Sequence, residues 1–136
     1  MLPFKLELEI RFGDVDALGH LNNVAYYRFL EQARVRFMLA VKGSLTGDAK
    51  IDFPYVVAHS ELDFKAPLKY DDRCVVTMGV ADIKTTSFTF VYELYGAKNG
   101  SLAAKGKVVM VCFDHDKGVK TPIPQFFRDA IEKYSV

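Results

Sequence analysis

Apolar and polar residues alternate strictly from Phe4 to Phe12. Phe4, Leu6, Leu8, Ile10 and Phe12 share one face, while Lys5, Glu7, Glu9 and Arg11 share the other. A period of two marks a strand with one face buried, so this stretch predicts a strand. Gly13 to Gly19 then interrupts the pattern with two glycines and two aspartates. Asn22 and Asn23 follow, side chains that accept hydrogen bonds from the free N–H groups of a helix start. Tyr26, Phe29, Leu30, Ala33, Phe37, Ala40 and Val41 recur at spacings of three and four, with Arg28, Gln32 and Arg36 between them. That spacing predicts one helix ending near Gly43. Its stripe is wide and aromatic, which suits a helix lying on a sheet.

A polar loop with Gly43, Gly47 and Pro54 follows, and the remainder reads as a β-meander. Strands are expected over Val56–Lys65, Cys74–Ile83, Ser87–Tyr95 and Leu102–Phe113. Pro67 with Asp71-Asp72 and then Lys84-Thr85 provide the breaks. Asn99-Gly100 is a dipeptide suited to a type I′ turn, so the last two strands are expected to pair antiparallel. Pro122 and Pro124 lead into a short C-terminal helix with Phe126, Phe127, Ala130 and Ile131 on its apolar side. The class is α+β: about five antiparallel strands, one long helix and a small terminal one. One helix covers only one face of such a sheet, yet Val108 to Val111 is apolar on both faces, so a second copy of the chain is expected to cover the rest.

At 136 residues with half of them hydrophobic, the chain is read as a single domain, 1–136, able to fold without disulfides or a structural metal. The two cysteines, Cys74 and Cys112, lie inside strand-like runs and read as reduced thiols of a cytoplasmic protein. The longest apolar run, Val108 to Phe113, is far below the roughly 20 residues of a membrane span, and the N-terminal alternation does not look like a secretory signal. A net charge of +1 with scattered Lys and Arg gives no footprint for nucleic acid or an anionic membrane surface. There is no G-x-S-x-G elbow, and neither cysteine lies near a histidine in a loop or at a helix start, which disfavours a serine or cysteine nucleophile. Asp14, Asp16 and His20 have no further ligand cluster near them, so no metal is expected.

The chemistry concentrates in Arg11 to Arg34, RFGDVDALGHLNNVAYYRFLEQAR, where an acidic loop re-enters as a helix. The motif D-x-x-x-H-V-N-N-x-x-Y reads here Asp16, His20, Leu21 in place of Val, Asn22, Asn23 and Tyr26, and the segment resembles the hotdog-fold thioesterases of the 4-hydroxybenzoyl-CoA thioesterase type, more narrowly the short acyl-CoA thioesterases. ELDFKAPLKYDDRCVV and TPIPQFFRDAI extend the likeness over nearly the whole chain. Some relatives carry a histidine where this chain has Asn23, and aromatic-substrate members lack His20, so the likeness is closer to fatty-acyl enzymes. The sister dehydratases are set aside, because Asp16 and Asp14 lie four and six residues before His20, not five.

The resemblance implies a hotdog fold, a sheet wrapped round a long helix, working without cofactor as a homodimer or dimer of dimers with acyl-CoA sites between subunits. It maps the catalytic carboxylate to Asp16 and the amide that polarises the carbonyl to the helix start near Asn23. The residues support that chemistry independently: thioester hydrolysis needs a base or nucleophile beside the carbonyl carbon and donors where its oxygen becomes negative, and a helix start supplies donors. Read without the likeness, Asp16 is more simply a turn or cap residue than a catalytic one. Asp14 is expected to be structural. His20 either tunes the carboxylate or substrate, or packs as a loop histidine. Asn22, Tyr26, His59 and Lys120 are the expected substrate contacts, with His59 on a strand near the dimer interface and Lys120, beside Lys84 and Lys117, for the CoA phosphates. The alternative to an enzyme is a non-catalytic acyl-thioester binding protein of the same fold.

Overall fold

A computed structural model describes residues 1–42 and 55–136, so the expected Gly43–Pro54 loop lies outside the described residues. Strand β1 (Phe4–Glu9) precedes a 3-10 turn at Phe12–Asp14 and helix α1 (Asn23–Lys42). Strands β2 (Tyr55–Phe64), β3 (Arg73–Ala81), β4 (Ser87–Gly96), β5 (Leu102–Asp114) and β6 (Val119–Lys120) follow, then helix α2 (Gln125–Glu132). The sheet runs β1-β3-β4-β5-β2 with β6 on the end of β5, and every ladder is antiparallel. This is the hotdog arrangement, with α1 against one face of the sheet.

The core lies between α1 and that face. Leu30, Ala33 and Phe37 of α1 are wholly buried with Met78, Val80, Phe88, Phe90 and Leu94 of the sheet. The Phe37 ring sits edge-on to Phe4 at 5.2 Å, Phe90 at 5.1 Å and Tyr134 at 4.9 Å, ring spacings that add to the burial of each. Tyr55 and Phe127, 4.8 Å apart, close the far end, so α2 is a plug for the core. Past Phe4 the edge of β3 passes to the C-terminus: Val80 donates to the Tyr134 carbonyl and accepts from the Val136 N–H.

Four expectations are corrected. The N-terminal alternation runs on to Phe12, but the strand stops at Glu9, because Asp14 reaches back to the Arg11 N–H and bends the chain into the 3-10 turn, leaving Phe12 80% exposed. The meander holds only for β3-β4-β5, since β2 crosses to the far side of β5 and is not beside β3. The connection at Asn99-Gly100 is not a two-residue type I′ turn: only Gly100 has positive φ, and its N–H closes back on the Gly96 carbonyl. Phe126 faces outward, while Phe127 and Ile131 carry the buried side of α2. A sixth strand, paired through the Asp114–Gly118 turn, adds to the five expected.

Candidate active site

Residues 14–22 form a miniature hairpin. Val15 and Leu21 bridge as antiparallel partners, the Asn22 N–H donates to the Asp14 carbonyl at 2.9 Å, and the Asp16 N–H donates to the His20 carbonyl at 2.8 Å. Gly19 makes the tip possible with φ +76°, a left-handed value that a Cβ would strain. A second segment pins the hairpin: Leu21 donates to the Leu68 carbonyl at 2.7 Å, His20 bridges Lys69, and Tyr70 donates to the Gly19 carbonyl.

This loop decides what Asp16 presents. Its Oδ1 accepts the N–H groups of Leu18 at 2.9 Å and His20 at 3.2 Å. Among the described residues Oδ2 has no protein partner, and the side chain is exposed. One oxygen therefore orients the carboxylate while the other is free to act. His20 meets Asp16 through its backbone, and its ring makes no hydrogen bond among the described residues.

The hairpin runs directly into α1. Asn22 is the cap: its Oδ1 accepts the N–H groups of Val24 at 2.8 Å and Ala25 at 3.2 Å. Its backbone carbonyl takes those of Ala25 and Tyr26. Asn23, the first helical residue, keeps an N–H with no partner among the described residues, at the positive end of a 20-residue helix. One continuous stretch thus holds a free carboxylate oxygen and a free, dipole-aligned amide.

Asp14 is 4% exposed, with Arg11 Nε and Arg28 Nη2 each 3.7 Å from its carboxylate. Neither arginine was singled out by sequence reasoning as part of the site. Tyr26 is 3% exposed against Phe64, and burial pushes its phenol up to about 12. It belongs to the core wall. Between α1 and β2 two adjoining depressions, of about 210 and 290 Å³, share Glu31, Arg34 and Val57. The first begins at Val24, one residue past Asn23.

The remaining expected residues lie elsewhere in the chain. His59 is opposite Val109, so it is on the sheet face turned away from α1, with Nε2 3.0 Å from Glu61 Oε1. That bond holds the Glu61 carboxyl below its ordinary range. Lys120 pairs with Phe113 at the C-terminal end of β5, whereas the Asp16 hairpin sits by way of Leu68 and Lys65 at its N-terminal end. The two anchors on β5, Ala103 and Phe113, are ten residues and about 33 Å apart along the strand.

A family model described as the thioesterase-like superfamily matches residues 10–131, nearly the whole chain and all of the hairpin. The chain belongs to this superfamily. As a member it is an enzyme of thioester hydrolysis. A 1,4-dihydroxy-2-naphthoyl-CoA hydrolase from Synechocystis is 25% identical over 132 residues, covering 96% of each chain. A solved structure of a predicted thioesterase from Bacillus stearothermophilus superposes with a TM-score of 0.85 at 26% identity, covering 98% of this chain and 96% of that one. A thioesterase from Thermus thermophilus, solved with coenzyme A and Zn, superposes with a TM-score of 0.82 at 28% identity, covering 96% and 98%. In this thioesterase no group of three or more His, Cys, Asp or Glu side chains is placed to hold a metal among the described residues, and no described helix is long and apolar enough to cross a membrane.

Proposed function

We propose that this thioesterase hydrolyses an acyl-CoA to a carboxylic acid and CoA, with Asp16 as nucleophile or general base and the Asn23 amide as the donor to the oxyanion. The observation that carries this reading is the pairing, in one hairpin-to-helix unit, of a free Asp16 Oδ2 with a free Asn23 N–H. The carboxylate either attacks the thioester carbonyl carbon, giving an anhydride that water then splits, or takes a proton from water whose oxygen attacks. In both cases the C–S bond breaks, its electron pair leaves on the CoA sulfur, and that sulfur ends protonated. The Asn23 N–H, fixed before the reaction, meets the charge as it develops on oxygen. No redox group enters this balance.

Support for CoA comes from the naphthoyl-CoA activity named for the Synechocystis relative and the coenzyme A in the Thermus structure. The depressions leading from Val24 along α1 suit the acyl arm. A homodimer fits the exposed apolar residues Val24, Tyr27, Val57 and Phe64 along α1 and β2, and the open edge of the ten-residue β2. His59 and Lys120 enter the site in this reading only through a second copy. Two free, buried cysteines suit the cytoplasm, where we place the protein.

Release of free thiol from a panel of aliphatic and aromatic acyl-CoAs tests the proposal. Enzymatic release from at least one is expected. Tight acyl-CoA binding by calorimetry with no release above buffer would instead establish the non-catalytic binding protein.

A further inference from the structure

We infer that Asp14 is a positioning residue of the reaction: its buried carboxylate fixes the spacing between the Asp16 hairpin and the start of α1. The inference rests on the roles given above to Asp16 and Asn23. Asp14 is the sole buried carboxylate among the described residues, and burying a carboxylate is costly unless cations or donors compensate. Capping the 3-10 turn through the Arg11 N–H, at 2.9 Å, requires only a neutral oxygen such as that of Asn or Ser. The charge therefore has another use.

Arg28 supplies it. This arginine lies on α1, five residues past Asn23, and its Nη2 is 3.7 Å from Asp14 Oδ1. Arg11, just past the end of β1, approaches Oδ2 at the same distance. On the backbone side, the Asp14 carbonyl takes the N–H of Asn22, the residue that caps α1. Asp14 thus stands two residues from the reacting carboxylate and contacts both the cap and the second turn of the helix that bears the amide. Both guanidinium groups are more than half exposed and at 3.7 Å are beyond hydrogen-bond length, so the pairs add little stability. Their consequence is geometric. Without the Asp14 charge, Arg11 and Arg28 lose the anion that lies 3.7 Å from each and joins hairpin to helix.

The test compares Asp14→Asn, Arg28→Met and Arg28→Lys with Asp16→Asn, measuring kcat and KM for an acyl-CoA well below each melting temperature. A misplacement of about 1 Å costs up to about a hundredfold in rate. Asp14→Asn and Arg28→Met should each lower kcat about three- to fivefold with KM within about twofold, and Arg28→Lys should recover most of the loss. The double variant should be no slower than the slower single one, because both break one link. If Asp14→Asn does not fold, the Arg28 pair decides alone, since that side chain is half solvated. Normal kcat in Arg28→Met, or losses in kcat that vanish on cooling together with a fall in melting temperature, would reduce Asp14 to a structural residue. An inactive Asp16→Asn beside a fully active Asp14→Asn overturns only the positioning role, and a fully active Asp16→Asn removes both.

Discussion

Replacing Asn22 by Asp separates the two tasks of the helix start. The Asn22 Oδ1 accepts two amide hydrogen bonds, from Val24 and Ala25, and Asp caps a helix as well as Asn does. A carboxylate there also complements the helix dipole by about 0.3–1 kcal/mol, so the melting temperature should hold or rise by roughly 1–3 °C. Catalysis should suffer, because the new charge lies 2.8 Å from the Val24 N, beside the Asn23 amide proposed to meet the oxyanion. Two unit charges 4 Å apart repel by about 4 kcal/mol at an effective dielectric of 20. With partial charge on the oxyanion and solvent nearby, about 1.5–2 kcal/mol remains, a fall in kcat of roughly 10- to 30-fold. Asn22→Ala moves stability the other way, losing about 1 kcal/mol with its cap and roughly 3 °C of melting temperature. Calorimetric melts and steady-state thiol release on the two variants give the comparison. Wild-type kcat in a stable Asn22→Asp protein would mean that no negative charge develops beside Asn23.

Phe37→Ala empties the centre of the aromatic cluster and should destabilise the fold by about 3–5 kcal/mol, seen as a fall in melting temperature on the order of 10 °C. Burial raises the thiol of Cys74 to about 12 and that of Cys112 to about 11, so at pH 8 both stay protonated and shielded. Neither should react with a thiol reagent until the protein is unfolded in denaturant, and prompt labelling of the native protein would contradict that burial. Lys120→Ala should raise KM for acyl-CoA more than for a truncated pantetheine thioester if a second copy brings Lys120 to the CoA phosphates. An equal effect on both substrates removes it from the site.

What the sequence made legible was local. The alternation of Phe88, Phe90, Tyr92 and Leu94 and the three-and-four spacing of Phe29, Leu30, Ala33 and Phe37 each follow from one element meeting one core, and both sets are buried as expected. The position of β2 was not legible, because its pairing with β5 joins residues 40 to 57 apart and its alternation slips at the bulge between Val57 and His59. Phe12 misled for a physical reason: period-two hydrophobicity continues past the point where the Asp14 side chain captures the Arg11 N–H and ends the strand. The candidate site shows the same division. Asp16, His20, Asn22 and Asn23 fall within eight consecutive residues, so their grouping could be read along the chain. The contact of Arg28 with Asp14 depends on the angle at which α1 leaves the hairpin, which no spacing encodes.

Turnover by Asp16→Asn tests the central claim most directly. Asn keeps the size of the side chain and an oxygen to accept the Leu18 and His20 N–H groups, but it has no charge with which to attack the carbonyl or take a proton from water. The expected result is a folded protein with a near-normal melting temperature, KM little changed and kcat lower by roughly two or more orders of magnitude. Near-normal kcat in that folded variant would contradict the assignment of the chemistry to Asp16.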